Sequence, residues 1–417
     1  MIRTLVLLGM TGDLARRFLV PALGALVRAG QLPDGFRVIG AARGTLQEAD
    51  LRALAGNDLP AQMLTYHAVD LADPSSLVPV LDGADEPVAA YLALPPGIFA
   101  TTIESLGEAG LPPGSRVVLE KPFGDDLESA RMLNALLQRT SFDAYRVDHV
   151  LGMETTRNLV TMRRENAFLE RLWTGDAVET VEILWEETLA LEGRAAYYEH
   201  AGALKDVLQS HMLQLLALVG REGGESHEGN LAVLRSVRVT GSRRARYTAG
   251  TLADGREVPA YVEEEGVDPE RCTETLAEVT LQLDDERWSD TTFVLRAGKA
   301  LSRRRKLVLL RFRRGGGLQI GIDGPTDVVL QFAGRDRRDL CGEAAGTGLP
   351  PYAHVLLDVL GGTNELSVGG DEAEEAWRVV APVLRAWENG EVPLEEYSAG
   401  SEGLDHAVAR TLPTKTP

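Results

Sequence analysis

The sequence predicts two fold classes in one chain: an α/β domain at the amino terminus and a larger α+β domain after it. Three observations carry this. Short apolar runs alternate with helical patterns through the first third of the chain, which is how a parallel sheet flanked by helices reads. Beyond that point β-branched runs with partial alternation recur at Val178 to Trp185, Val279 to Leu283, Phe293 to Leu295, Leu307 to Phe312, Leu318 to Ile322 and Val328 to Phe332, the pattern of a mostly antiparallel sheet. The chain has 417 residues, room for roughly two to three domains of about 150 residues each.

The first run, Leu5-Val6-Leu7-Leu8, is too short for a helix and is bounded by Gly9, which suits a strand buried on both faces. Gly9-Met10-Thr11-Gly12-Asp13-Leu14-Ala15 follows, then a helical pattern that places Leu19, Leu23, Leu26 and Val27 on one face. A strand feeding a glycine turn at a helix start aims backbone N–H groups and the positive dipole end at a ligand, as Rossmann-like folds do for a pyrophosphate. Thr11 and Ala15 stand where the usual fingerprint has its second and third glycines. The next strand, Phe36 to Gly40, leads into Ala41-Ala42-Arg43, where an NAD-binding chain carries an acid for the ribose hydroxyls. An arginine there can clamp a 2′-phosphate with charge-assisted bonds, so the sequence favours NADP. Two further strands stop at Pro95-Pro96 and at Glu120-Lys121-Pro122-Phe123-Gly124, which puts Lys121 at a carboxyl-terminal sheet edge. In the second domain helical patterns span Leu204 to Leu218 and Ala373 to Trp387, and Gly315-Gly316-Gly317 reads as a hairpin turn.

Composition narrows the function. The formal net charge of −19 argues against a nucleic-acid or anionic-membrane partner, because binding to phosphate backbones needs a net basic face. Cys272 and Cys341, the two cysteines, are far apart, so neither a disulfide framework nor a metal site is expected. No run approaches a membrane span or a signal-peptide core, and a cytoplasmic protein is expected.

Taken together the motifs resemble the glucose-6-phosphate dehydrogenase family. The carrying residues are Gly9 to Ala15, Arg43, Leu94-Pro95-Pro96, Glu120 to Gly124, Arg146-Val147-Asp148-His149, Gly202 to His211, Arg296 to Leu301 and Tyr397 to Ser401. The resemblance implies oxidation of a hexose 6-phosphate C1 hydroxyl to the lactone with NADP, with no metal. It implies His211 as the base, Asp148 as the carboxylate that orients it, and Lys121 in contact with sugar and nicotinamide. Gly9, Thr11, Gly12, Asp13, Leu14, Arg43, Pro95 and Lys121 would hold the cofactor. Glu187 and Asp206 would accept from sugar hydroxyls, while His149, Lys299 and Arg304 would take the phosphate, with Arg303, Arg305 and Lys306 adjacent. It further implies an NADP-binding domain at 1–148, a substrate-binding and dimerisation domain at 149–417, and a homodimer or homotetramer built through the large sheet.

The chain also departs from the family pattern. Val150 and Met153 stand where the family has a tyrosine and a lysine, and Phe18 replaces another lysine. Two substrates therefore stay open: a hexose 6-phosphate held by the remaining cations, or a sugar that lacks the phosphate or carries an apolar substituent facing Val150, Met153 and Phe18. A catalytically weak NADP-binding regulator is a third reading, against which the retained Asp148, His211 and Lys121 argue. In a glucose-fructose oxidoreductase-like relative the aspartate and histidine would stand four apart, whereas Asp206 and His211 are five apart.

Overall fold

The computed structural model describes residues 1–56, 58–82, 86–140, 142–223, 227–323, 328–332, 337–339 and 348–405. The chain forms two compact units, Met1–Glu154 with Ala345–Glu374, and Thr155–Ala344 with Glu375–Pro417.

The first unit is a six-stranded parallel sheet. Its strands are β1 (Thr4–Leu8), β2 (Arg37–Ala42), β3 (Leu64–Ala68), β4 (Val88–Leu92), β5 (Arg116–Glu120) and β6 (Asp143–Val147), in the order β3-β2-β1-β4-β5-β6. The helices between them are α1 (Val20–Arg28), α2 (Glu48–Ala55), α3 (Pro74–Leu81), α4 (Phe99–Glu108) and α5 (Leu127–Arg139). Side chains alternate across a strand, and β1 shows the result, all five of its residues being buried. Leu5 and Leu7 join Ala89, Tyr91 and Val118 in one core with Leu19, Leu23 and Leu26, while Val6 and Leu8 join Ala90, Leu92 and Leu119 in the other with Phe99 and Ile103.

The first unit runs past the expected boundary at 148 to Glu154 and takes back residues 345–374. The cause is α11 (Pro351–Gly361), an apolar helix that the sequence reading missed. Tyr352, Ala353, Val355, Leu356, Val359 and Leu360 complete the core on the α1 side of the sheet. Its end is pinned by polar bonds: the Ile2 N–H donates to the Leu360 carbonyl at 2.8 Å, and the buried Arg116 guanidinium donates to the Val359 carbonyl at 2.9 Å. These satisfy carbonyls that a helix end leaves without intrahelical partners.

The second unit opens with α6 (Glu154–Glu165), whose first residue belongs to the other unit, and α7 (Ala167–Leu172). Its nine-stranded sheet contains β7 (Val178–Glu186), β8 (Val237–Thr248), β11 (Leu276–Leu283), β12 (Thr292–Gly298), β13 (Arg305–Phe312), β14 (Gly316–Gly321), β15 (Val328–Phe332), β16 (Arg337–Asp339) and β17 (Leu394–Ser398). A small hairpin, β9 (Gly250–Thr251) with β10 (Glu257–Val258), stands apart. The order is β16-β15-β14-β13-β7-β12-β11-β8-β17, with parallel pairing only for β7 with β12 and β8 with β17. The mostly antiparallel expectation holds; the β13–β14 turn closes on Gly315, at positive φ, while Gly316 and Gly317, expected in the turn, already belong to β14. The unit's other helices are α8 (Ala195–Ala203), a π-helical segment Leu204–Met212, α9 (Leu213–Gly220), α10 (His227–Ser236) and α12 (Gly370–Glu388), whose first residues lie in the other unit. Cys272 is exposed and free; Cys341 lies outside the described residues. Among the described residues no helix is long and apolar enough to cross a membrane.

Candidate active site

The glycine turn of the first unit forms at the carboxyl end of β1. Gly9 has φ +86°, and a Cβ there would lie 2.2 Å from the Ala93 carbonyl oxygen, so only glycine fits. The Gly12 N–H donates to the Gly9 carbonyl at 2.9 Å, and the chain then enters a short π-helical segment, Ala15–Leu19, that continues into α1. Ala15 is fully buried, but counted from Gly9 the third fingerprint position falls on Leu14 and not on Ala15. Thr11 and Leu14 are half-buried and Asp13 is exposed. The turn lies between β1 and β4, where the strand order reverses and such sheets bind ligands. Arg43 is exposed just past β2, and Pro95 just past β4. A backbone cradle with no room for a side chain and an exposed guanidinium at the next strand end fit a phosphorylated dinucleotide.

At the same carboxyl edge β5 ends in Glu120, followed by the half-buried Lys121, and β6 is followed by Asp148 and His149. Asp148 is buried and accepts from the Val150 N–H at 3.0 Å. Glu120 is buried too, and its carboxyl takes hydrogen bonds from the Tyr91 and Tyr352 hydroxyls. Burial raises its pKa, the Tyr91 bond opposes this and the Asp148 charge adds to it, leaving it at about 7. Burial and then the Glu120 and Asp148 charges push the Tyr352 hydroxyl well up, so it stays a donor. The Tyr352 ring stands between Phe18, with centroids 5.6 Å apart, and His149, at 6.0 Å. Phe18 is 45% exposed, Met153 half-buried and Val150 fully buried. This corrects one expectation: Val150 is a packing residue and presents no surface to a sugar.

In the second unit the segment bearing Asp206 and His211 starts at Gly202, which adopts φ 60°, ψ −177°, a conformation essentially confined to glycine. A Cβ at Gly202 would meet the Glu274 carboxylate at 2.3 Å. That carboxylate is buried and accepts from the Leu204 N–H at 2.9 Å, capping the segment. The sequence reads an α-helix over Leu204 to Leu218, whereas residues Leu204–Met212 are π-helical and only the remainder is α. The difference bears on the chemistry. On an α-helix, residues five apart point about 140° away from each other; i to i+5 bonding brings them round to one side. Asp206 and His211 therefore share a face despite the longer spacing. Asp206 accepts from the Tyr197 hydroxyl at 3.0 Å, and the buried His211 ring stacks on Trp185, with centroids 5.4 Å apart and planes 27° apart.

The expected sugar and phosphate residues of this unit fall into two linked ion-pair groups. Glu187 accepts from Lys299 at 2.7 Å and pairs with Lys306 at 3.0 Å. Burial alone would raise its pKa, but the two ammonium groups outweigh that and hold the carboxyl at about 2. Arg304 pairs instead with Asp323, which also lies 3.5 Å from Lys306. Arg303 pairs with Glu402, and Arg305 with the buried Glu186. Lys299 and Glu187 thus come together, and Arg304 sits one ion pair further out. Tyr352, Asp323 and Glu274 went unread in the sequence, while Glu120 and Trp185 were read only as members of a turn motif and a strand, with no role of their own.

Residues 6–158 match the family described as glucose-6-phosphate dehydrogenase, NAD binding domain. Residues 160–323 and 338–413 match glucose-6-phosphate dehydrogenase, C-terminal domain. The chain is similar to glucose-6-phosphate 1-dehydrogenase of Gluconobacter oxydans, with 33% identity covering 97% of this chain and 94% of the relative. Its structure is similar to a glucose-6-phosphate dehydrogenase solved in complex with its substrate glucose-6-phosphate, with a TM-score of 0.88 and 28% identity over 97% of this chain and 96% of that one. It is likewise similar to glucose-6-phosphate 1-dehydrogenase from Mycobacterium avium, with a TM-score of 0.83 and 29% identity over 99% and 100% of the two chains.

Proposed function

The chain belongs to the glucose-6-phosphate dehydrogenase family, and from that footing we propose that it oxidises the C1 hydroxyl of glucose 6-phosphate to the lactone with NADP. It is a sugar dehydrogenase with a nicotinamide-binding domain. The observation that carries the reading is a single cluster in the second unit: His211 stacks on Trp185, Lys306 covers the same indole at 4.3 Å, and Lys306 shares Glu187 with Lys299. A base, a hydroxyl-accepting carboxylate and two cations for an anionic sugar are therefore linked through the Trp185 indole and the Lys306 ammonium.

In this mechanism His211 takes the C1 hydroxyl proton, since imidazole accepts and releases protons near neutral pH. Asp148 orients that ring and stabilises the imidazolium, as the family resemblance implies. When bound, the oxidised nicotinamide supplies the hydride acceptor. Gly9, Thr11, Gly12, Asp13 and Leu14 hold the pyrophosphate, Pro95 flanks the nicotinamide half, and Lys121 contacts sugar and nicotinamide. Arg43 favours NADP over NAD through the 2′-phosphate. Glu187, ionised across the physiological range, and Asp206 accept from sugar hydroxyls; Lys299, Arg304 and His149 take the phosphate. We place the enzyme in the cytoplasm as a homodimer or homotetramer, which light scattering on the eluted peak tests.

One observation favours a second reading, a sugar without the phosphate: Arg304 and Lys306 already hold Asp323, so an incoming phosphate has a carboxylate to displace. Initial rates of NADPH formation with glucose 6-phosphate and free glucose at equal concentration, with NAD as the cofactor control, separate the two. Strong preference for the ester is expected; equal or better rates with free glucose would overturn the phosphate assignment.

A further inference from the structure

Trp185 occupies the central strand β7 of the nine-stranded sheet, paired directly opposite Lys306 on β13 and beside Ala297 on β12. It is 5% exposed, and hydrogen-bonded neighbours on both sides fix its backbone. An indole so held is a rigid surface, and the His211 imidazole lies against it with its plane inclined by 27° at 5.4 Å. His211 itself rides near the carboxyl end of the π-helical segment Leu204–Met212. Trp185 also lies under the Lys306 ammonium at 4.3 Å, and that ammonium is anchored by Glu187 at 3.0 Å. The indole thus contacts both the base and the ammonium of the ion pair that the reading above assigns to the sugar.

We infer that Trp185 is a positioning residue for catalysis, the surface that fixes the His211 ring for proton abstraction and connects its placement to the Glu187–Lys306 pair. The inference rests on His211 being the base. Its physical content is twofold. Stacking limits rotation of the imidazole about its side-chain bonds, so that its nitrogen meets the substrate hydroxyl within hydrogen-bond reach. A π face beneath the ring also favours the imidazolium that proton transfer creates, an interaction gained in the transition state and absent from the ground state. Both effects act on kcat; neither strengthens sugar binding.

The test is a double-mutant cycle on the full-length enzyme, with Trp185→Leu, Trp185→Phe and His211→Asn alone and combined. Trp185→Leu is expected to lower kcat by about tenfold to a hundredfold, the range lost when a catalytic group is misplaced, while KM for glucose 6-phosphate and Kd for NADP stay within about twofold. Trp185→Phe, which keeps an aromatic face, should recover most of kcat. In the His211→Asn background Trp185→Leu should cost nothing further. An equal fall of kcat in both backgrounds, or no fall in the first, would overturn the inference, since Trp185 would then be only a core residue. Should Trp185→Leu fail to fold, Trp185→Met, which keeps bulk without a π face, takes its place in the cycle with the same expected and overturning results. Full turnover in His211→Asn alone would instead overturn the assignment of the base, a distinct outcome.

Discussion

Asp323 holds two cations that a sugar phosphate would also seek, and the size of that competition follows from its exposure. Its side chain is 32% exposed and Arg304 is 55% exposed, so the pair is screened by solvent and worth only about 0.2–1 kcal/mol. Asp323→Asn is therefore expected to lower KM for glucose 6-phosphate by about twofold to fivefold at 1.4 kcal/mol per decade, and to leave KM for free glucose unchanged. Parallel saturation curves check both. Of the two family residues missing after Asp148, only one can be restored at low cost: Met153→Lys should keep the fold, whereas Val150→Tyr enlarges a fully buried side chain and should cost about 1–3 kcal/mol in a denaturant titration. Arg43→Ala should raise KM for NADP by at least about tenfold, a charge-assisted bond being worth about 1.5–3 kcal/mol, with KM for NAD little changed. Gly9, Arg43 and His211 could be singled out from the sequence because residue type is itself the signal for the roles proposed for them. Tyr352 and Asp323 were not, because nothing local distinguishes a phenol or carboxylate that will reach a site from one that faces water.

The start of the segment that carries Asp206 and His211 depends on a glycine and a buried acid acting together. Gly202→Ala places a methyl group on the Glu274 carboxylate and forces a conformation that costs about 1–3 kcal/mol for a non-glycine residue. It should depress kcat and thermal stability together. Burial raises the Glu274 pKa, the Leu204 N–H opposes this, and the group comes to rest at about 7. A glutamate raised in the folded state binds its proton more tightly there than when unfolded. Its contribution is therefore present below the ordinary carboxylate range and is lost as pH rises through about 7. Glu274→Gln keeps an acceptor for Leu204 without the charge, so it should gain on the parent as pH climbs from 5 to 8, by at most about 3 kcal/mol at 1.36 kcal/mol per pKa unit. A constant difference between the two unfolding curves across that range would remove this account. Elements with a clear period were read from the sequence, and β8 shows why others were not. Its Arg238, Arg243, Arg244 and Arg246 look like a solvated loop. In the fold, however, Arg243 pairs with Glu395 at 3.1 Å, while Arg244 donates to the Trp387 carbonyl at 2.9 Å and stacks on its ring. The π-helical stretch was hidden for a different reason, since its apolar spacing also satisfies an α-helix.

The fold class of each unit was legible at the scale of the molecule because sheets impose a period of two and their connections impose an alternation of types. The return of α11 to the first unit was not. Pairing between segments hundreds of residues apart leaves no trace in either one alone, and the helix PYAHVLLDVLG reads simply as apolar. Leu356, fully buried in that core, gives the check: Leu356→Ala should destabilise the first unit by about 2–5 kcal/mol, seen as a lowered midpoint for the transition that NADP protects. A normal midpoint would mean that the helix contributes little. The return also sets a timetable. A ribosome must reach residue 361 of 417 before the helix that covers the α1 face of the first sheet exists. Until then Leu5, Leu7, Tyr91, Val118 and Val147 are only partly sheltered, in a nascent chain whose amino-terminal portion would otherwise be first to fold. Vectorial synthesis thus leaves the nucleotide-binding portion provisional almost to the end of translation, and a messenger cut short before that helix would release a polypeptide prone to aggregate, with no self-sufficient half-enzyme among its products.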